Sequence, residues 1–443
     1  MDTFPYTSLT KVYCVDAQVP DSACTASAFL CGVKTKKFTL GTTSAVEYDQ
    51  CNSTFGNEVT SILNWAKSAG KSVGIVTTTR LMHATPAAAY AHTVNRHWFS
   101  DAEMPNVAKE QGCKDISTQL IYNIPNIEVI MGGGRKYMTP KSTKDPEYRN
   151  AAHAEGIRLD GINLIDKWIE TKIDKPVFNH SVYVWNKAQL DKVNLETTDY
   201  LLGLFEPHDM AFELERNTTQ DPSLVDMVDK AVRILRKNPN GFFLLVEGGR
   251  IDHGHHNGQA KHALYETITL DNSIKRAGFL TDEGDTLTVV TADHSHTLSF
   301  GGYNDRGNPI LGFVSYHSDI DDKPFTSLAY GNGPGWAIVN GTRDNLTNID
   351  TSYAKYKQQA AVPLKQETHS GEDVVVYAKG PWSHLFRGTN DQTFICHVLA
   401  YAACIGPHAT HCSESKLSGA PPMNSLNHMA ILIYCLLLAL TMN

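Results

Sequence analysis

Three stretches of this chain share one pattern: an uninterrupted apolar or β-branched run that stops at polar, metal-binding side chains. Phe242-Phe-Leu-Leu-Val246 runs into Glu247, a Gly-Gly pair, and then Asp252, His253, His255 and His256. Thr286-Leu-Thr-Val-Val-Thr291 runs into Ala292-Asp293-His294-Ser295-His296. Lys71-Ser-Val-Gly-Ile-Val-Thr-Thr-Thr79 is followed by Arg80, His83 and Thr85. Runs of this length and composition, closed by turn residues, predict buried strands. In an open α/β sheet the site lies beyond the carboxyl ends of such strands, so three runs with this ending predict one shared site. Asp with His suits zinc, whereas carboxylates alone suit magnesium or calcium.

Elsewhere the pattern changes to helical or turn-like. Val19-Pro-Asp-Ser-Ala-Cys-Thr-Ala-Ser-Ala-Phe-Leu-Cys-Gly-Val33 places Ser22 at the first turn of a small-residue helix, where free N–H groups and the helix dipole favour an anion. The same residues also read as an ordinary helix cap. Glu266 to Ala277 has apolar positions near helical spacing and predicts an amphipathic helix behind the site. Gly132-Gly-Gly134 follows the apolar run Ile127 to Met131 but lacks a Walker lysine and serine, so it reads as a tight strand exit. Gly331-Asn-Gly-Pro-Gly335 reads as a turn. His92 and His97 flank Arg96 without ligand spacing to a carboxylate, which favours structural roles.

Composition narrows the class. A chain of 443 residues can bury a large core as one α/β domain or two smaller ones. A formal charge of −8 and the lack of a Lys/Arg run argue against nucleic-acid binding. Nine cysteines form no CxxC pair, which argues against a zinc ribbon or a thioredoxin-type motif. Sequons at Asn52, Asn179, Asn217, Asn340 and Asn345 lean toward a secreted glycoprotein. Near the end, Ser418-Gly419-Ala420, a spacer with Pro421 and Pro422, and the apolar run Met429 to Leu440 have the layout of a GPI-attachment signal. A buried helix is the alternative for that run. Removal of the signal would take Cys435 with it. Because Met1-Asp-Thr-Phe-Pro-Tyr6 carries neither a basic n-region nor an apolar h-region, the natural start is expected to lie upstream.

Several stretches together resemble the vertebrate alkaline phosphatases, the tissue-nonspecific branch in particular. They are Pro20-Asp-Ser-Ala-Cys-Thr-Ala26, Val76-Thr-Thr-Thr-Arg80, Gly132-Gly-Gly-Arg-Lys-Tyr-Met138, Leu204-Phe-Glu-Pro207, Val246 to His256, Thr291-Ala-Asp-His-Ser-His296 and Glu367-Thr-His369. The resemblance implies an α/β fold with a central, mostly parallel sheet flanked by helices, within a domain over residues 1–412. It implies a crown-like insertion over 302–363 and an attachment signal over 413–443. It implies hydrolysis of phosphate monoesters through a phosphoserine at Ser22, with Arg96 holding the phosphate. Asp252, His256 and His369 match the ligands of one zinc, Asp293 and His294 those of a second, and Ser22 faces the metals. Thr85 and Glu247 match magnesium ligands. Glu147, Phe205 through its carbonyl, Glu206 and Asp221 match a calcium site. Cys51–Cys113 and Cys404–Cys412 match the family's disulfides, which leaves Cys14, Cys24, Cys31 and Cys396 unpaired. A GPI-anchored homodimer on the outer face of the cell membrane follows by the same resemblance. So do pyrophosphate, pyridoxal phosphate and phosphoethanolamine as substrates, and a part in biomineralization.

The chemistry is coherent without the family. A serine hydroxyl is a weak nucleophile that metal coordination activates, and a metal-bound hydroxide favours alkaline conditions. One family element has no counterpart between Met1 and Ser22, namely an Asp in a Gly-Asp-Gly-Met stretch that bridges the second zinc and the magnesium. Without that segment the second zinc is expected to keep two of its protein ligands and the magnesium to lose its bridge. Two sheet edges would be exposed. A truncated, weakly active or inactive chain with a binding role only is therefore the alternative. A sulfatase is disfavoured because Ser22-Ala-Cys-Thr-Ala26 lacks the required proline and arginine. A phosphodiesterase commonly has Thr in place of Ser22 and a wider site.

Overall fold

The apolar runs pair edge to edge in one large sheet. A computed structural model describes residues 1–173, 180–409, 411–414 and 430–435. Its main sheet contains ten strands. In chain order these are β1 (Tyr6–Lys11), β2 (Ser72–Arg80), β3 (Val129–Gly133), β4 (His180–Val184) and β5 (Thr198–Leu204). They continue with β6 (Phe242–Glu247), β7 (Thr286–Thr291), β8 (Val374–Lys379), β9 (Thr389–Asp391) and β10 (Ala430–Cys435). Across the sheet the order is β9-β1-β8-β7-β10-β6-β2-β3-β5-β4. Only β8 runs against its neighbours, β1 and β7. The sheet is thus mostly parallel, as expected of strands that are apolar on both faces.

Helices cover both faces. The alternation of side chains along a strand sends Phe243 and Leu245 to one face, where they meet Phe29 and Leu30 of α1 (Ser22–Cys31) in one core. Leu244 and Val246 point the other way and join the apolar stripe of α2 (Leu224–Leu235) in a second core. The short helix α3 (Arg250–His256) leaves β6 through Gly248 and Gly249. The amphipathic segment expected over 266–277 is the middle of α4 (Ala260–Leu280), whose Leu270, Ile274 and Ala277 join that second core. Ile395 and Leu399 of α5 (Thr393–Ala403) pack with α1 in the first core. A separate three-stranded sheet joins Leu298–Phe300, which precedes the segment 302–363 expected to form the insertion, to Leu328–Gly333 and Ala360–Pro363 inside it.

Four expectations change. Cys14 and Cys24 are bonded to each other, with Cα atoms 5.7 Å apart, beside Cys51–Cys113 and Cys404–Cys412. The loop from β1 folds back through a Cys14–Ala17 bridge and so reaches the first turn of α1, a closure that spacing alone does not reveal. Cys31 and Cys396 are free thiols, both buried. Gly331 to Gly333 belong to a strand, and only the residues after them turn. The terminal apolar run is a strand rather than a buried helix over 430–435, and it pairs with both β6 and β7 in a sheet that was expected to expose two edges. The rest of that run, the Ser418-Gly419-Ala420 triplet and Asn179 lie outside the described residues.

Leu244 is fully buried at the centre of this sheet. Leu244→Ala is expected to lower unfolding free energy by about 2–5 kcal/mol in denaturant titration, through lost burial and a residual cavity.

Candidate active site

Chain direction decides where the polar residues gather. Because β2, β6 and β7 run the same way, their ends deliver His83 and Thr85, Glu247 and Asp252, and Asp293 and His294 to one end of the sheet. His369 arrives from the opposite direction, just before the antiparallel β8, and pairs in register with His296. Ser22 is the first residue of α1, and its hydroxyl stands 3.1 Å from His294 Nε2.

Three imidazoles are fixed in the same tautomer by backbone carbonyls. His256 Nδ1 donates to Glu367 O at 2.5 Å, His369 Nδ1 to Pro20 O at 2.8 Å and His294 Nδ1 to Ser295 O at 3.2 Å. Their Nε2 lone pairs therefore face inward, as in metal-ligating histidines. His256 Nε2 and His369 Nε2 lie 3.1 Å apart, and they stand 3.2 and 3.3 Å from the same Asp252 Oδ1. Ligand atoms about 2.0–2.1 Å from a tetrahedral ion are spaced about 3.3 Å from one another, so this triad fits a single zinc-sized cation. Asp293 Oδ2 and His294 Nε2 are 3.2 Å apart and form a second, adjacent pair. The His294 and His369 rings stack at 3.5 Å, which makes the two subsites contiguous.

The electrostatics call for cations. Asp252, Asp293 and Glu247 are all buried. Burial, with the neighbouring charges of Asp252 and Glu247, pushes the Asp293 carboxyl well up. Burial also raises Glu247, against hydrogen bonds from Thr77, Thr85 and Thr79. Burial acts on Asp252 too, but His256, His296 and His369 hold it well below the usual carboxylate range. Burial and the charges of its neighbouring histidines push His294 down, so its ring stays neutral and available as a ligand.

Arg96 is held from two sides. Its Nη1 donates to Asp21 Oδ2 at 2.7 Å, and its Nη2 stands 3.1 Å from His83 Nε2. Asp21 also caps α1 by accepting from the Ala23 and Cys24 amides, so one carboxylate places both the guanidinium and the serine. The helix-cap reading of Pro20-Asp21-Ser22 and the nucleophile reading are thus compatible. Asp21 lay beyond the sequence reading as a positioning group, as did His296 and Glu367. His296 Nε2 bonds Asp252 Oδ1 at 2.9 Å, and its Nδ1 bonds Glu367 Oε2 at 2.6 Å. The Asp-His-Ser-His tandem was the available signal for His296. Its partner Glu367 is more than seventy residues away in sequence and is brought close by the pairing of His369 with His296. Of the other histidines after β6, His253 lies 2.8 Å from Arg250 Nη1, and His255 Nδ1 bonds the Tyr330 hydroxyl at 2.8 Å. His92 Nδ1 bonds Gly41 O at 2.7 Å, a structural contact.

A second acidic cluster sits apart from these residues. Ligand atoms of Glu147, Glu206 and Asp221 all lie within 4.8 Å of one another, and Phe205 precedes Glu206 in the buried core. Burial and Asp221 raise Glu147 to about 7 and Glu206 to about 8, and burial raises Asp221. Asp221 Oδ1 has no hydrogen-bond partner among the described residues. Three carboxylates that resist joint ionisation, with an unsatisfied oxygen, fit a hard, oxygen-seeking cation.

The alkaline phosphatase family profile matches residues 1–405. The chain is 58% identical over 421 residues to the tissue-nonspecific isozyme of alkaline phosphatase from Felis catus, covering 95% of this chain and 80% of that protein. Identity to the corresponding isozyme of Gallus gallus is 57% over 99% of this chain and 83% of the relative. Among solved structures, the alkaline phosphatase of the Antarctic bacterium TAB5 is similar with a TM-score of 0.60 at 21% identity, covering 90% of this chain and 88% of that one. The Thermus thermophilus enzyme gives a TM-score of 0.60 at 21% identity, covering 90% and 82%. At that identity the two structures speak for the fold.

The acidic cluster generates a pH prediction. Without a cation, Glu147 and Glu206 keep their protons longer in the folded chain than in the unfolded one. Their contribution to stability is full below the ordinary value of 4.5 and is lost as pH rises through about 7 and about 8. With zinc and magnesium supplied and calcium withheld, the melting temperature should therefore fall between pH 5 and pH 8. Added calcium should restore more at pH 8 than at pH 6.

Proposed function

This chain belongs to the alkaline phosphatase family; it is a metal-dependent hydrolase of phosphate monoesters, and we propose that Ser22 is its nucleophile. The observation that carries this assignment is the Ser22 hydroxyl 3.1 Å from His294 Nε2, at the free N-terminus of α1 and beside a triad spaced for one cation. In the proposed assignment Asp252, His256 and His369 hold one zinc, Asp293 and His294 hold part of a second, and Thr85 and Glu247 hold magnesium. Glu147, the Phe205 carbonyl, Glu206 and Asp221 would hold calcium. Bound there, the active-site cations would favour the serine alkoxide and a hydroxide near neutral pH and would neutralise phosphoryl charge.

The protein's own residues account for the rest of the reaction. The Ser22 hydroxyl stands beside the His294 subsite and passes its proton to solvent as Oγ attacks phosphorus. The P–O bond to the substrate alcohol breaks, the leaving oxygen takes up a proton, and phosphate rests on Ser22. Water then attacks the phosphoserine from the opposite side, which frees Ser22 and inorganic phosphate. Two inversions give retained configuration at phosphorus. Arg96, pre-oriented by Asp21 and His83, directs its charge at the equatorial oxygens, and the α1 amides add partial positive charge. The binding-only alternative is not favoured, because the chain's close relatives are phosphatases across nearly its full length.

The finer setting rests on sequence. A GPI anchor on the outer face of the cell membrane is supported by the small-residue triplet and terminal apolar run, and a homodimer is the assembly that the family resemblance implies. Glycosylation is supported by the exposure of Asn52, Asn217, Asn340 and Asn345. Among the described residues no helix is long and apolar enough to cross a membrane. Pyrophosphate, pyridoxal phosphate and phosphoethanolamine are the proposed substrates, and biomineralization the setting for the first.

Hydrolysis of p-nitrophenyl phosphate at alkaline pH, with zinc and magnesium added, tests the assignment. Ser22→Ala should lower kcat at least about a thousandfold while both metals remain bound by elemental analysis. Arg96→Ala should cost about a hundredfold in kcat/KM. An active Ser22→Ala chain would remove Ser22 from the mechanism.

A further inference from the structure

A covalent bond closes the loop that leads into the nucleophile helix. Cys14 and Cys24, ten residues apart in sequence, are joined by a disulfide, and both are buried. Cys24 sits in the first turn of α1, and Cys14 in the loop after β1. Between them the chain carries three groups that the site uses. The Pro20 carbonyl accepts from His369 Nδ1 at 2.8 Å, Asp21 Oδ2 accepts from Arg96 Nη1 at 2.7 Å, and the Ser22 hydroxyl lies 3.1 Å from His294 Nε2.

Backbone contacts hold only the start of this stretch. The Val15 amide donates to Thr35 O at 3.1 Å, Cys14 bridges to Ala17, and Asp16 Oδ1 accepts from the Lys37 amide at 2.8 Å. Gln18 and Val19 come next; both are exposed, and neither makes a backbone hydrogen bond among the described residues. The disulfide resumes the hold beyond them, and it does so against Asp21. Cys14 Sγ lies 4.0 Å from Asp21 Oδ1, and Cys24 Sγ lies 3.4 Å from Asp21 O. The amides of Phe38, Ala23 and Cys24 approach the same carboxylate at 2.9, 3.1 and 3.5 Å. Opening the bond would free the loop to sample more conformations. Separated thiols also take more space than a bonded pair, and in a packed site that displaces Asp21.

We propose that the Cys14–Cys24 disulfide is a positioning element of the active site: it holds Asp21 so that Arg96 is aimed at phosphate, and reductive opening weakens phosphate binding. This rests on the reading above that phosphate sits between Ser22 and Arg96. A phosphine performs the opening with a simple balance. Its phosphorus gives two electrons to the sulfur–sulfur bond and takes oxygen from water, and the two protons of that water end on the sulfurs.

The test is calorimetric titration of the zinc- and magnesium-loaded chain with inorganic phosphate, after peptide mapping of its disulfides. Cys14→Ala, Cys24→Ala and the double variant should each raise the phosphate Kd at least about tenfold, and by the same factor, because all three remove one bond. Zinc and magnesium content should not change, and Cys404→Ala, which opens a different disulfide, should leave the Kd as it was. In an Arg96→Ala background most of the factor should vanish, which general loosening of the fold would not produce. Should the variants fail to fold, the wild-type chain is treated with phosphine until alkylation shows Cys14 and Cys24 open, and the Kd is compared before and after. Equal affinity in the closed and open forms overturns the proposal, as does a factor that persists in full without Arg96. Mapping that finds Cys14 and Cys24 as free thiols in the native chain overturns it too. Failure of the nucleophile assignment is seen separately, as a Ser22→Ala chain that still turns over, and leaves the phosphate comparison standing.

Discussion

Buried negative charge is the constraint around which this molecule is arranged. Asp252, Asp293 and Glu247 sit together at the ends of parallel strands, with almost no access to water. Charges placed there without partners would destabilise the fold strongly. Hydrogen bonds from threonines and histidines meet part of the demand, and inward-facing imidazole lone pairs make the remainder a demand for cations. The fold supplies the geometry, because strands that run the same way end on the same side and their loops converge. Phosphoryl transfer draws on the same features, since a pocket built to take cations beside a helix N-terminus also suits a phosphate.

Much of this was legible in the sequence because buried parallel strands leave a coarse signature. β6 and β7 are apolar runs with chemistry at their ends, and their limits in the structure agree with the pattern to within one residue. The first-turn position of Ser22 followed from Pro20-Asp21 and the small residues after it. What sequence could not supply was partnership across long separations. Cys14 and Cys24 meet because a loop doubles back. Glu367 reaches His296 through a two-residue strand pair, and Asp21 finds Arg96 across the site. None of these has a local pattern.

The terminal run shows the ambiguity of hydrophobicity by itself. A dozen uncharged residues fit a removable signal, a buried helix or a central strand equally well by composition. In the structure Ala430–Cys435 pairs with two parallel strands, and its side chains enter the cores on both faces of the sheet. Gly331 to Gly333 make the same point on a smaller scale, since glycines that suggest a turn are paired with Ala360–Pro363 as a strand.

The central claim is that phosphate passes through Ser22, and trapping it there is the most direct test. The zinc- and magnesium-loaded chain would be mixed with a phosphate-labelled monoester, quenched in acid within one turnover, digested and mapped. The account predicts label on the peptide that contains Ser22, and none in a Ser22→Ala chain treated alike. Turnover without label on the protein, or label on another residue, would contradict it.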